Sequence, residues 1–352
     1  MVGSDAARRV LEHAIRSRVF PAAVADVGDS GGPLWQDELG TLAFEAGDSR
    51  LTPSGIDTPF DLASLTKPIA TATVVMRLAD TGTMTLDERV GAHFDEWRGN
   101  ERREVTVADL LEHASGLPAR LLDQAPAGRR EFEHDICTMP LEYAPRARSL
   151  YSDLGFILLG FLVADRGGAS LAGQFASVVD PFAPGLTFTL PSDTKPLAAP
   201  TTAMDQDLRR GRTLVGEVHD NYAAALGGAA GHAGLFGTAP DVAAYARVVL
   251  RAARGETREP PPFTPSHVRR FTTRSLVPGS SRALGWDTML PTSSCGTRMS
   301  ASAFGHVGFT GTSLWIDPGR DRYFVLLTNR AHGGGSLEQM RDVRRAFHDA
   351  FE

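Results

Sequence analysis

The chain has 352 residues, 42 acidic and 36 basic, for a formal charge of −6. That length holds a large core and either two structural units or one domain with a big insertion, and a mildly acidic balance without a basic stripe excludes the electrostatic footprint of a nucleic-acid or anionic-membrane binder. The two cysteines, Cys137 and Cys295, lie far apart and outside any C-x-x-C or metal-ligand spacing, so neither a disulfide nor a zinc framework is implied.

In chain order, MVGSDAARRVLEHAIRSRVF is an amphipathic helix with charges throughout, unlike the basic start and apolar block of a signal peptide. The longest apolar run, FILLGFLVA at 156–164, is too short to span a bilayer. The expected location is cytoplasmic, unless an export signal has been removed. FPAAVADVG (20–28) and GTLAFEAG (40–47) read as a hairpin across the Gly-rich DSGGP turn. Helix signals follow at 67–81, at 106–113 opening on a threonine cap, at 152–166 and at 240–253. Residues 119–150 and 185–225 carry no readable period, and the stretch 196–221 within them is long for a plain connection, which marks a functional loop or a flexible edge. GTRMSASAFGHVG, TSLWIDPG and RYFVLLTNR are three late strands, and 336–351 closes the chain as a helix. Strands from both termini then meet in one antiparallel sheet. The expected organisation is an α/β unit made of residues 1–56 and 268–352, with a mostly helical unit of residues 57–267 inserted between them and the active site at their interface.

FDLASLTKP (60–68) holds Ser64 and Lys67 in a chain with only one other lysine, Lys195. Where the surface has drifted to arginine, a retained lysine points to what arginine lacks, the ability to give up its proton. On a helix, residues three apart share a face with Cβ atoms roughly 5–6 Å apart, so the two can form a nucleophile and base pair. S-x-x-K alone is a loose pattern, and Ser192-Asp-Thr-Lys195 repeats it in a proline-rich segment that reads as a surface loop. Only the first copy opens a helix, with Ile69, Val74, Val75, Leu78 and Ala79 on its buried side and Pro68 in its first turn.

Other routes to chemistry are thinner. The one G-x-S-x-G, Gly28-Asp29-Ser30-Gly31-Gly32, falls in the expected hairpin turn and not between a strand and a helix, against an α/β-hydrolase elbow. LGGAAGHAGLFG (226–237) lacks the ending of a phosphate loop. The spacing of His219, Asp220 and His232 matches no common metal site, and His93, His113 and His134 lie in charged surroundings expected to be solvated.

Four ordered motifs together resemble the serine hydrolases related to class C β-lactamases and D-Ala-D-Ala peptidases: Phe60 to Lys67, VTVADLLEHASGLP (105–118), Tyr151-Ser152-Asp153, and Gly305-His306-Val307-Gly308-Phe309. Residues 216–246 are similar to a subgroup of that family that includes esterases and peptidoglycan-fragment amidases. The resemblance implies a β-lactamase/DD-peptidase-like α/β (α+β) fold, an antiparallel sheet flanked by terminal helices plus a helical domain. It implies Ser64 as the acylated nucleophile, Lys67 as base or proton shuttle, Tyr151 as the tyrosine exchanging protons with serine and leaving group, and the backbone N–H groups of Ser64 and Phe309 as oxyanion hole. Asp153, His306 and Gly308 fall at substrate-binding positions. For Lys67 to be a neutral base near pH 7, its pKa must fall about three units from roughly 10.4.

Two positions depart from the family pattern. Asp153 stands where asparagine is usual and cannot donate an N–H when ionised, and Val307 replaces a residue whose hydroxyl contacts the substrate carboxylate in β-lactam binders. The expectation is a serine hydrolase of small ester or amide substrates, without metal or cofactor, with weak or no β-lactamase activity. The alternatives are a true class C-type β-lactamase or D-Ala-D-Ala carboxypeptidase, or a penicillin-binding sensor or scaffold without turnover. The sequence names no partner protein.

Overall fold

The computed structural model describes residues 1–45, 52–121, 125–256 and 263–351. Helix α1 (Ser4–Arg16) buries Ala7, Leu11 and Ala14, one face at a spacing of three to four. Strand β1 (Ala22–Gly28) is buried throughout, and the chain then turns through residues 29–32, with the Asp29 carboxylate accepting from the Gly31 N–H at 2.7 Å, into β2 (Pro33–Gly40). The hairpin turn is where the sequence placed it, but the second strand is 33–40, not 40–47. Its charged residues hid it: β2 is a sheet edge whose outward positions face solvent, and charge on an edge discourages pairing with another chain. Residues 46 and 47 of the expected strand lie outside the described residues.

The chain continues through β3 (Phe60–Asp61), a tight 3₁₀ turn at Ala63–Leu65, a π-helical turn at Lys67–Ala72 and α2 (Thr73–Asp80). Pro68 lacks the N–H that an α-helical ladder would use, and the first turn is correspondingly wide. Next come α3 (Val107–Leu111), α4 (Arg129–Thr138), α5 (Asp153–Gly167) and α6 (Leu171–Val179). The expected caps hold: Thr106 opens α3 with a reciprocal side-chain bond to Asp109. Helix α5 contains the long apolar run and is buried all round, so it is a core helix; among the described residues no single helix is long and apolar enough to cross a membrane. Helix α4 lies within 119–150 and was not legible, because only Phe132, Ile136 and Cys137 of its ten residues are buried.

Two-residue strands β4 (Thr201–Thr202) and β5 (Thr213–Leu214) pair within the aperiodic stretch, followed by α7 (Asn221–Ala225), β6 (Phe236–Gly237), α8 (Ala239–Ala253) and α9 (Pro265–Thr272). Strands β7 (Asp287–Thr288), β8 (Phe304–Val307), β9 (Ser313–Asp317) and β10 (Arg322–Thr328) and helix α10 (Leu337–Asp349) complete the chain. The six-stranded antiparallel sheet has the order β2-β1-β10-β9-β8-β7, so the first long strand pairs with the last. Register separates its two faces with the period of two that strands require. Val24 lies opposite Leu327 on the face toward the helical core, and Val27 opposite Phe324 on the face covered by α1 and α10. Helix α8, from the middle of the chain, lies across β10 and β1 on the first face. The open end of β8 thereby meets the 3₁₀ turn at Ala63–Leu65.

Candidate active site

The segment that carries Ser64 is held by pairing at both ends. β3 pairs with β6, so Phe60-Asp61 lies against Phe236-Gly237, and the Leu62 N–H donates to Leu235 O at 2.9 Å. The turn after β8 is laced to the same segment, with Thr310 Oγ1 donating to Asp61 O at 2.7 Å and Thr312 Oγ1 to Leu62 O at 3.0 Å. Gly308 makes this approach feasible. A Cβ there would stand 2.1 Å from Thr312 Oγ1 and 2.6 Å from Leu62 O. Ala63 has φ of +47°, a left-handed backbone costly for alanine, immediately before Ser64.

Asp61 stabilises that conformation. Its fully buried carboxyl accepts from the Ala63 N–H at 2.8 Å and the His219 N–H at 2.6 Å. Burial pushes the Asp61 carboxyl up to about 6, against the pull of those two N–H groups. Between about pH 4 and 6 the native protein then keeps a proton that the unfolded chain has lost, so this group's contribution to stability falls as pH rises through that window. Relative to Asp61→Asn, the wild type should lose roughly 3 kcal/mol of unfolding free energy from pH 4 to pH 7. Urea titrations giving parallel pH profiles for the two proteins would contradict this.

Ser64 opens onto a cavity of about 520 Å³ that is also lined by Tyr151, Asp153, His306, Gly308 and Phe309. Lys67 lies beneath it, fully buried. Its Nζ donates to Ser64 Oγ at 3.1 Å, Asp153 Oδ1 at 2.7 Å and His232 O at 3.1 Å, which uses all three ammonium hydrogens. Burial pulls the Lys67 pKa down, but the Asp153 carboxylate and neighbouring Tyr151 outweigh it and hold Lys67 above its ordinary value. The condition for a neutral base is not met, which favours the shuttle of the two expected roles: at rest Lys67 is a cation. Asp153 is held below the usual carboxylate range, Lys67 offsetting the cost of burial. It does line the cavity, but both its oxygens are engaged within the protein, the second by Arg120 Nη1 at 2.8 Å.

The network continues into the 216–246 stretch. Arg120 also donates to Asp220 Oδ2 at 3.0 Å and Asn221 Oδ1 at 2.9 Å, and stacks 4.0 Å from the Tyr222 ring centre. Asp220 Oδ1 meets His232 Nε2 at 2.7 Å. Asp220 is held well below its ordinary pKa, His232 and Arg120 overcoming its burial. Asp220 and His232 therefore serve the site as hydrogen-bonding side chains, while His219 contributes its backbone N–H to Asp61 and stacks its ring on Phe309; among the described residues no cluster of three or more His, Cys, Asp or Glu is placed to hold a metal ion.

Tyr151 stands over Lys67, with Nζ 4.8 Å from its ring centre, between His113 at 4.7 Å and His306 at 5.9 Å between ring centres. His113 is buried, not solvated as expected; its Nδ1 accepts from the Ser152 N–H at 3.1 Å, fixing the segment before α5 that delivers Tyr151. Burial, with Arg282 and Lys67 nearby, holds both His113 and His306 well below the ordinary imidazole value, so both are neutral. His306 Nδ1 faces Val307 O at 2.9 Å and must carry the proton; its buried Nε2 has no partner among the described residues and is a bare acceptor. Neither the Ser64 nor the Phe309 N–H has a hydrogen-bond partner among the described residues, as an oxyanion hole requires. The second S-x-x-K lies elsewhere: Ser192 and Lys195 are exposed on the surface.

This fold and this constellation define a serine hydrolase. A Beta-lactamase family model matches residues 7–348, and the chain belongs to that family. It is 32% identical over 309 residues to an Escherichia coli protein provisionally named D-alanyl-D-alanine carboxypeptidase, covering 78% of this chain and 70% of that one. It is 30% identical over 348 residues to an N-acetylmuramyl-L-alanine amidase of Bacillus subtilis, covering 89% and 78%. A class C β-lactamase from Rhodobacter sphaeroides has a TM-score of 0.75 at 20% identity, covering 99% of this chain and 98% of that one. EstCE1, a hydrolase with promiscuous acyltransferase activity, has 0.74 at 19%, covering 98% of each. At those identities the two structures show a shared fold, the β-lactamase/DD-peptidase-like one.

Proposed function

We propose that Ser64 is acylated by a small ester or amide and that water then releases the acyl group, with little action on β-lactams. The observation that carries this reading is the arrangement of Lys67, whose three hydrogens go to Ser64, Asp153 and His232. A saturated ammonium cannot accept the Ser64 proton unless it passes one on. Asp153 Oδ1, at 2.7 Å, is the receiver. As Ser64 Oγ bonds to the substrate carbonyl carbon, the hydroxyl proton moves to Lys67, Lys67 gives one to Asp153, and the carbonyl electron pair moves onto oxygen, facing the Ser64 and Phe309 N–H groups. Tyr151 protonates the leaving group as the tetrahedral intermediate collapses, and the proton held by Asp153 returns through Lys67 to Tyr151. Water then adds to the acyl carbon, giving its proton through Lys67 to Asp153, and that proton returns through Lys67 to Ser64 Oγ as the acid product leaves.

Penicillin fits this cavity poorly. Val307 offers no hydroxyl for a substrate carboxylate, and Asp153 is already occupied by two cations. An amide from a peptidoglycan fragment is in keeping with the activities for which both relatives are named. Comparing p-nitrophenyl butyrate, nitrocefin and a muramyl-peptide tests this. The ester or the muramyl-peptide should exceed nitrocefin in kcat/KM by about 100-fold or more, and Ser64→Ala should turn over none of them. Nitrocefin as the best substrate would overturn the reading.

A further inference from the structure

Helix α10 places Met340, Arg344 and Phe347 on one buried face, at i, i+4 and i+7. An arginine on that face is an anomaly. Arg344 is 4% exposed and pairs with no carboxylate among the described residues. Leaving a buried charge without a counter-ion is costly, so its contacts need a reason. Nη2 donates to Gly308 O at 2.8 Å and Thr312 O at 2.9 Å. Burial and neighbouring Arg330 pull its pKa down to about 9, which leaves it cationic at neutral pH.

Gly308 O and the Phe309 N–H belong to one peptide plane, and in a trans peptide they point in opposite directions. A cation held on the carbonyl therefore fixes which way the N–H faces. It also draws electron density toward oxygen, leaving the N–H more positive and a stronger donor. The next peptide is held similarly, Arg330 Nε donating to Phe309 O at 3.1 Å, while the Phe309 ring lies between Arg330 and the His219 imidazole, whose centre is 5.4 Å away. The free N–H of Phe309 is thus fixed through the carbonyls on either side of it, by Arg344, which itself also lines the cavity, and by Arg330.

We propose that Arg344 is a positioning residue of the oxyanion hole, its charge acting through the Gly308–Phe309 peptide on the N–H that receives the developing oxyanion. The proposal rests on the assignment of Ser64 and Phe309 above, and it goes beyond it in giving the C-terminal helix a part in the chemistry.

Arg344→Gln and Arg344→Lys, assayed with p-nitrophenyl butyrate, test it. Arg344→Gln should lower kcat about 10- to 100-fold with KM within about threefold. Affinity for butylboronic acid, which adds to Ser64 as a tetrahedral anion, should fall in parallel. Arg344→Lys, which keeps the charge, should recover most of both. A rise in KM with kcat preserved would mean direct substrate contact and would overturn the proposal. So would a fall in kcat without loss of boronate affinity, the mark of a structural role. If Arg344→Gln does not fold, Arg344→Lys decides: kcat within about tenfold of wild type supports the proposal, and a folded lysine variant without activity refutes it. Turnover surviving in Ser64→Ala would remove the underlying assignment and this inference together. An inert Ser64→Ala beside a fully active Arg344→Gln would remove this inference alone.

Discussion

Lys67→Arg is expected to lose catalysis almost as completely as Lys67→Ala, by about 10³-fold or more in kcat/KM. Arginine keeps the charge beside Asp153, so if Lys67 served only as a counter-ion the substitution would be mild. It is not mild, on this account, for two reasons. Guanidinium does not lose its proton in proteins and cannot relay one from Ser64 to Asp153. Its planar fork also cannot reproduce three bonds radiating from one nitrogen to Ser64 Oγ, Asp153 Oδ1 and His232 O. Steady-state kinetics on an ester, with circular dichroism to show that the variant is folded, settle the matter. An arginine variant within tenfold of wild type would contradict the relay.

The second large effect is on stability. Asp153→Asn restores the residue usual in the family at that position, yet it should lower the unfolding free energy at pH 7 by about 3–5 kcal/mol, because it leaves the buried Lys67 cation with one charged partner fewer. Asp153 is depressed, so its stabilising part is present above the unfolded value near 3.9 and disappears as pH falls through the lower native value. Lys67 is raised, so its part is present below about 10.4 and disappears as pH climbs through the higher native value. The gap between wild type and Asp153→Asn should therefore be level from about pH 4 to 10 and close at the acid end. Urea unfolding across that range measures it; a variant as stable as wild type at pH 7 would show that the pair contributes nothing.

How much of this was legible follows from the distance over which each feature is specified. Ser64 and Lys67 are three residues apart, and the helix that follows Ser64 is written in the period of Ile69, Val74, Val75 and Leu78; both were readable. So were the late strands, whose apolar residues run almost without break through β9 and β10. The state of Lys67 was not, because it depends on Asp153, 86 residues away, and on a main-chain carbonyl at His232, 165 residues away. Arg120 gave no signal: it sits in a loop without a period, and its meaning comes from Asp153 and Asp220. Asp220 and His232 did leave a trace, in the unusual 216–246 stretch, but their spacing matched no metal site and said nothing of their partners, which are each other and, for Asp220, Arg120. Arg344 was visible only as a charge on the apolar face of a helix, between Met340 and Phe347.

The central claim is that one side chain, Ser64, forms the covalent intermediate. Intact-mass spectrometry after treatment with a fluorophosphonate, followed by peptide mapping, tests it most directly. The expected result is one adduct per chain, on the peptide containing Ser64, absent from Ser64→Ala and formed far more slowly by Lys67→Ala. An adduct on any other residue, or one that persists in Ser64→Ala, would contradict the account.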